Sequence, residues 1–181
     1  MVAAVALILH ETKPGAPELL FIERATRETD PWSGQMAFPG GRHDPGDRDL
    51  EATAARETLE EVGVRLEAPI GRLDDVLGGQ QPHRRLLVAP CVYALEERPE
   101  LHANHEVRSA VWVPLSWILQ PESAVQHRFE RAPFSGSYPA FRYERYVIWG
   151  LTYRITACLL TVLGHPLPSH QSGERRDEQS G

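Results

Sequence analysis

Arg56-Glu57-Thr58-Leu59-Glu60-Glu61-Val62-Gly63-Val64 is the stretch from which both the fold and the chemistry are read. It closes the clearest helix of the chain, expected over Asp49–Val62. Asp47 or Asp49 can cap its start through a side-chain oxygen, and Gly63 can end it. At about 100° per residue Ala52, Ala55, Leu59 and Val62 gather on one side, and Glu57 and Glu61 fall opposite, with Glu60 beside them. One face is expected to pack and the other to carry acid.

Glu57 and Glu61 are like charges four residues apart, which alone costs a helix roughly 0.2–0.5 kcal/mol. Acidic helix faces are ordinarily just solvated. A bound divalent cation reverses the sign of the pair, because hard oxygens on one face can coordinate it. Magnesium keeps several waters and is often shared between carboxylates and substrate phosphates. It can polarise a phosphoryl oxygen and help make a nucleophile from water. What sets this helix apart from a solvated one is its flanks: Phe38-Pro39-Gly40-Gly41 and a tight Asp-, Gly- and Pro-rich loop precede it, and Glu-Glu-x-Gly ends it.

Outward from the helix the chain reads as strands. Val2–Leu9 and Glu18–Glu23 flank the turn-forming Lys13-Pro14-Gly15-Ala16-Pro17, so a hairpin is expected. Gln35–Phe38 is a short strand. Downstream, strands are expected at Gly71–Leu77, Arg85–Leu95 and Glu106–Val113. The strongly apolar second of these suits a central position. Leu115–Leu119 reads as a short helix, Gln120–Ala140 has no assignable pattern, and Phe141–Ile148 alternates like one strand. Leu151–Leu163 fits a packed closing helix, stopped by Gly164 and Pro166. Residues 1–164 read as one domain of mixed strands and two main helices, an α/β fold. The polar 165–181 tail is expected to be disordered.

Composition narrows the function. The 181 residues carry a formal net charge of −6, with 41% apolar and 24% charged residues. That is ordinary for a soluble domain. It argues against a nucleic-acid polymer, which is usually held by a basic face. A small anionic substrate remains compatible if metal ions offset the repulsion. Cys91 and Cys158 form no CxxC pair, so neither a disulfide framework nor structural zinc is expected, and a reducing cytoplasm fits. Val2–Leu9 is short, with no basic residue before it, and reads as a buried strand instead of a signal peptide or membrane span.

The run Gly41 to Val64 resembles the Nudix box, G-x5-E-x7-R-E-U-x-E-E-x-G-U, with U aliphatic. Arg56, Glu57, Glu60, Glu61, Gly63 and Val64 match it. Thr58 stands where an aliphatic U is usual. Gly41 to Arg56 holds one residue more than the standard spacing, and Asp47 is the acid nearest the place of the first Glu. The resemblance implies a Nudix-type α/β/α sandwich around a mixed sheet, and a hydrolase that cuts a diphosphate linkage in a nucleotide derivative.

By that resemblance Glu57 and Glu61 are the principal metal ligands for Mg²⁺ or Mn²⁺, with Glu60 assisting and the Gly41 carbonyl completing the set. Arg56 orients the Glu side chains, a task suited to a planar, permanently charged guanidinium. The family draws its general base from the box or from a loop Glu near a later strand. Glu106 stands at the second place and reads equally as a solvated strand-edge residue. Arg24, Arg27 and Arg42 are candidates for substrate phosphates. His83, Arg84 and Arg85 form a small basic patch, and His43 and His105 lie near the proposed site.

Leu20-Phe21-Ile22-Glu23-Arg24-Ala25 and Gly34-Gln35-Met36-Ala37-Phe38-Pro39-Gly40-Gly41 are similar to the signature of coenzyme A pyrophosphatases, roughly L-L-T-x-R-[SA]-x3-R-x3-G-x3-F-P-G-G. The Leu-Leu-Thr start is partial, one extra residue lies between Arg24 and Gly34, and Arg27 is the closest to the second Arg. Tyr146-Val147-Ile148-Trp149-Gly150-Leu151-Thr152 resembles that subfamily's closing segment. The expected substrate is coenzyme A or an acyl derivative, cleaved to an adenosine bisphosphate and a phosphopantetheine. ADP-ribose, a dinucleotide or a nucleoside triphosphate is the alternative, and the proline that marks many ADP-ribose enzymes has only Pro82 nearby. A Nudix module that merely binds nucleotides is the non-enzyme alternative, disfavoured by the intact Glu57, Glu60 and Glu61. Monomer and homodimer both remain open.

Overall fold

The computed structural model describes residues 1–26, 33–78, 86–131 and 134–167. The N-terminal half contributes strands β1 (Val2–Glu11), β2 (Pro17–Arg24), β3 (Met36–Ala37) and β4 (Gly40–Arg42), then helix α1 (Leu50–Val62). Strands β5 (Gly71–Arg72), β6 (Val76–Gly78), β7 (Leu86–Leu95) and β8 (Val107–Pro114) follow. The short helix α2 (Leu115–Ile118) and a 3₁₀ turn (Pro121–Ser123) lead to β9 (Ala124–Arg131), β10 (Phe134–Tyr143), β11 (Tyr146–Trp149) and helix α3 (Gly150–Val162).

β1 and β2 form the expected hairpin but share only the pairs Leu9↔Leu19, His10↔Glu18 and Glu11↔Pro17. β7 runs parallel along one edge of β1 from Val2 to His10, and β8 runs antiparallel along one edge of β2 from Glu18 to Arg24. With those edges taken, β3 pairs with β2 and β4 pairs with β1 on the remaining edges. The two strands therefore splay apart, and Phe38-Pro39 carries the chain from one to the other in the gap.

Alternation along the strands gives this mixed sheet two apolar faces. Leu7, Leu19 and Phe21 join Phe141, Ile148, Ile155 and Leu159 on the side of β10, β11 and α3. Ala6, Ile8, Leu20 and Ile22 join Ala54, Val62 and Tyr93 on the side of α1. A sheet covered by helices on both sides is the α/β/α sandwich that the family resemblance implied.

Three readings need correction. In α1 the buried residues are Thr53, Ala54, Thr58, Glu61 and Val62, whereas Leu59 is exposed. The packed face and the acidic face are the same face, because the polar side chains find partners inside. The Thr58 hydroxyl donates to the Ala54 carbonyl at 2.7 Å, so a threonine fits where an aliphatic residue is usual. Leu59→Lys is accordingly expected to change the unfolding free energy by less than about 0.5 kcal/mol, measured in urea.

Second, Phe141–Ile148 is not one strand. Tyr143 pairs with Tyr146 across a two-residue turn in which Glu144 takes φ 51°. Glu144-Arg145 lacks the glycine or asparagine that usually marks such a turn, and the unassigned stretch before it supplies β9 and most of β10. Third, Gly71–Leu77 is two short strands, β5 and β6, each pairing with β7. Of the 165–181 tail, Leu167 packs against the α3 side of the core and residues 168–181 lie outside the described residues.

Candidate active site

α1 begins at Asp49, whose side chain accepts from the Ala52 amide at 2.7 Å, and ends at Gly63 in the left-handed region with its N–H on Leu59. That fixes the helix rotation so that Glu57 and Glu61 face the β3–β4 connection. Gly40 crosses β1 at φ 148°, where a Cβ would run into the Ala4 carbonyl and Val5. Its N–H donates to Glu61 Oε2 at 2.9 Å, and Glu61 is 3% exposed. At Gly41 a Cβ would occupy the place of the Glu57 carboxylate. Both glycines are therefore needed for the loop to lie this close over the two acids. Gly41→Ala is expected to displace Glu57 and lower kcat by about 10²-fold, the scale of an ångström-sized misplacement. A steady-state assay beside a melting curve checks that the fold survives.

Arg56 is clamped. Its Nε and Nη2 donate to the two Asp47 oxygens at 2.8 and 3.0 Å, a bidentate pair. Its Nη1 lies 3.0 Å from Glu57 and 3.3 Å from Glu60, and its Nη2 reaches the Arg42 carbonyl at 3.4 Å. Asp47 also accepts from the Thr53 hydroxyl at 2.8 Å, and that hydroxyl lies 2.9 Å from His43 Nδ1. The Arg56 guanidinium holds the Asp47 carboxyl far below the usual carboxylate range, and Asp47 in turn raises Arg56. Asp47, the acid nearest the place of the first box Glu, is thus the residue that fixes Arg56. Its spacing from Gly41 was the available signal.

The electrostatics are unbalanced toward negative charge. Burial pushes Glu61 up to about 7; Gly40's N–H and Arg24 oppose this, while Glu57 and Glu106 reinforce it. Burial also raises Glu57, with Arg56 opposing and Glu60 and Glu106 reinforcing. Glu57, Glu106 and Arg24 thus all lie close enough to act on Glu61, and Glu106 acts on Glu57 as well. Glu106 sits just before β8, its N–H on the Asn104 side chain at 2.7 Å and its carbonyl accepting from Ala25 at 2.7 Å. Glu60 is more than half exposed beside Arg56. The Arg42 side chain is exposed. Exposed His105 lies 3.8 Å from Glu106. Arg27, Pro82 and the His83–Arg85 patch lie outside the described residues.

Among the described residues no three carboxylate, imidazole or thiol groups already stand at ligand spacing around one point. The chemistry of the donor set nevertheless fits a hard cation. Two inward-facing carboxylates are held under a backbone turn, one of them nearly sealed from water and carrying more negative neighbours than positive ones. Oxygen-only donors of this kind suit Mg²⁺ or Mn²⁺ and not a soft metal. A divalent charge there would offset the burial that raises Glu61.

Comparison with known proteins gives the family and the fold. Residues 1–133 match the NUDIX domain family. The chain is 33% identical over 165 residues to the mitochondrial coenzyme A diphosphatase NUDT8 of Homo sapiens, spanning 89% of this chain and 69% of that protein. It is 38% identical over 135 residues to an uncharacterized protein of Schizosaccharomyces pombe, of whose length it spans 40%. Among solved structures, a MutT/nudix family protein from Enterococcus faecalis shares the fold at a TM-score of 0.61 and 17% identity, over 90% of this chain and 62% of that one.

Proposed function

The chain belongs to the Nudix hydrolase family, and from that premise we propose that it is a magnesium-dependent diphosphatase acting on coenzyme A or an acyl-coenzyme A. The observation that carries the reading is the burial of Glu61 beneath Gly40-Gly41 within the field of the half-buried Glu57, an arrangement that is costly without a cation. Glu57, Glu61 and the Gly41 carbonyl are the groups to hold Mg²⁺ or Mn²⁺, with Glu60 at the rim. When bound, the metal supplies Lewis acidity at a phosphoryl oxygen and charge neutralisation of the diphosphate.

The chain's own residues do the rest. Asp47 locks Arg56, and Arg56 keeps the Glu57 carboxylate in register. Arg24, close enough to act on Glu61, offsets phosphate charge at the same end of β2. Glu106 accepts the proton of the attacking water, whose oxygen bonds to one phosphorus as the bridging oxygen leaves with the bond's electrons. Its place at the head of β8, within the field of both metal-binding acids, supports that role.

The substrate choice rests on the coenzyme A-type signature around Arg24 and Gly34–Gly41 and on the name of the human relative. It is tested by incubating the protein and Mg²⁺ with coenzyme A, ADP-ribose, NADH and dinucleoside polyphosphates, with products identified by mass in heavy-oxygen water. Coenzyme A is expected to yield an adenosine bisphosphate and a phosphopantetheine, one of them labelled. Coenzyme A surviving while ADP-ribose disappears would overturn the choice.

A further inference from the structure

The box helix ends against the chain that leads into β8. The last carbonyls of an α-helix have no partner within the helix and must take one from outside it. At the end of α1 two of these partners come from residues 102–104. The His102 N–H donates to the Val62 carbonyl at 2.8 Å, and the Asn104 N–H donates to the Glu61 carbonyl at 2.9 Å. Gly63 leaves room for this approach, since a Cβ there would stand 3.1 Å from the Cβ of His102.

Asn104 then turns the chain. Its carbonyl accepts from the Val107 N–H at 3.2 Å, and its side-chain Oδ1 accepts from the Glu106 N–H at 2.7 Å. A side chain bonded to the backbone two residues on is an Asx-turn, a common device in ordinary loops. This one differs in what it joins. On one side Asn104 is bonded to the backbone of a metal-site acid, and on the other to the backbone of the proposed base. From the far side Ala25 closes on Glu106, its N–H donating to the Glu106 carbonyl at 2.7 Å. His102, Ala103, His105 and Glu106 are exposed and Asn104 is partly buried, so burial does little to hold the turn before Val107. The Glu106 backbone is fixed by hydrogen bonds, and the Asn104 side chain supplies one of them.

We propose that Asn104 is a positioning residue for the hydrolysis, setting the place of Glu106 relative to the acids of α1 by bonding to both backbones. The inference rests on the reading of Glu106 as the group that takes the proton of the attacking water. A general base must stand within hydrogen-bond reach of the water it deprotonates. A displacement of about an ångström is enough to cost about 10²-fold in rate. The side-chain oxygen of Asn104 is engaged by the Glu106 N–H, so its effect passes through Glu106. Asn104→Ala removes that link and keeps the backbone N–H for Glu61.

The test is a double-mutant cycle of Asn104→Ala and Glu106→Gln in the full chain at saturating Mg²⁺. Asn104→Ala is expected to lower kcat by about ten- to hundredfold with KM unchanged, and Glu106→Gln to lower it by about 10²- to 10⁴-fold. In the Glu106→Gln background Asn104→Ala is expected to cost nothing further, because no base is left to place. Asn104→Asp keeps an acceptor of the same reach and is expected to recover most of the lost rate. Mn²⁺ affinity, read from the free-ion paramagnetic signal, is expected to be the same in Asn104→Ala as in wild type, since Gly40 and Arg56 hold Glu61 and Glu57 without it. A turn that merely stabilised the fold would slow both backgrounds equally or weaken Mn²⁺ binding, and either result would overturn the proposal. Asn104→Ala at full rate beside a slow Glu106→Gln would overturn this proposal alone. Glu106→Gln at full rate would remove the base assignment and the proposal together. Coenzyme A left intact while ADP-ribose is cleaved would reject only the choice of substrate, and the cycle is then read on ADP-ribose.

Discussion

Glu61→Gln is expected to abolish metal-dependent turnover and, in metal-free buffer at neutral pH, to make the protein more stable. The carboxylate is almost fully buried, accepts one amide hydrogen bond and sits in the fields of Glu57 and Glu106. Its value rises from 4.5 to about 7. Between those values the folded chain holds more protons than the unfolded one, so stability falls as pH rises through this window and stays low above it. The loss is about 3 kcal/mol at most. A Gln amide keeps the acceptor for Gly40 and carries no charge, so the variant should melt about 5–10 °C higher near pH 7.5 without metal. Near pH 4.5 the two proteins should nearly coincide. Added Mg²⁺ should raise the wild type and leave the variant unmoved, while kcat falls by at least about 10³-fold. Calorimetric melting curves at the two pH values, with and without Mg²⁺, check the stability half, and a product assay checks the rest. A variant that melts lower at neutral pH would contradict the burial argument.

The second large effect is expected at Asp47. Asp47→Ala removes a bidentate acceptor from Arg56, a partner from the Thr53 hydroxyl and the acceptor of the Asp44 amide. Removing Asp47 leaves Arg56, about 33% exposed, to Glu57 and Glu60 alone, and the cost here is about 1–3 kcal/mol. The sign with pH is opposite to that of Glu61. The Asp47 carboxyl is held below its ordinary 3.8, so its contribution is present above that value and fades as pH falls through the lower folded one. The variant should therefore lose most stability relative to wild type at neutral pH and little in strong acid. Freed from Asp47, Arg56 no longer has a fixed orientation toward Glu57, and kcat should drop about 10–100-fold, the usual penalty for losing an outer support of a metal site. Denaturant unfolding at several pH values with parallel kinetics measures both. An Asp47→Ala protein with full activity and unchanged stability would remove Asp47 from the site.

The box helix and its two flanking glycine segments were legible in the sequence because each depends on local rules: Asp49 caps, Gly63 ends, and Gly40-Gly41 permit close approach. The orientation of α1 was not. Periodicity assigns apolar residues to the interior, but Thr58 bonds to its own helix backbone and Glu61 to Gly40, so the interior face is partly polar and Leu59 is left outside. A functional helix breaks the pattern where its function lies. Asp47 was visible only as the nearest acid to a missing Glu; its bond to Arg56 crosses nine residues of chain, and no periodicity encodes it. β9 and the first part of β10 escaped notice because the tight turn at Glu144-Arg145 lacks the usual residues and because 135–139, Ser-Gly-Ser-Tyr-Pro, has the composition of a loop. The rings of His127, Phe129, Tyr138 and Trp149 come together only through strand register.

Titration of Mn²⁺ into the metal-free protein, followed by the loss of the free-ion electron paramagnetic resonance signal, tests the account where it is most exposed. Wild-type protein should bind Mn²⁺ with release of protons near pH 6, and a Glu57→Gln, Glu61→Gln double variant that melts as a folded protein should leave the ion free. Equal Mn²⁺ binding by the folded double variant would place the metal elsewhere and contradict the account.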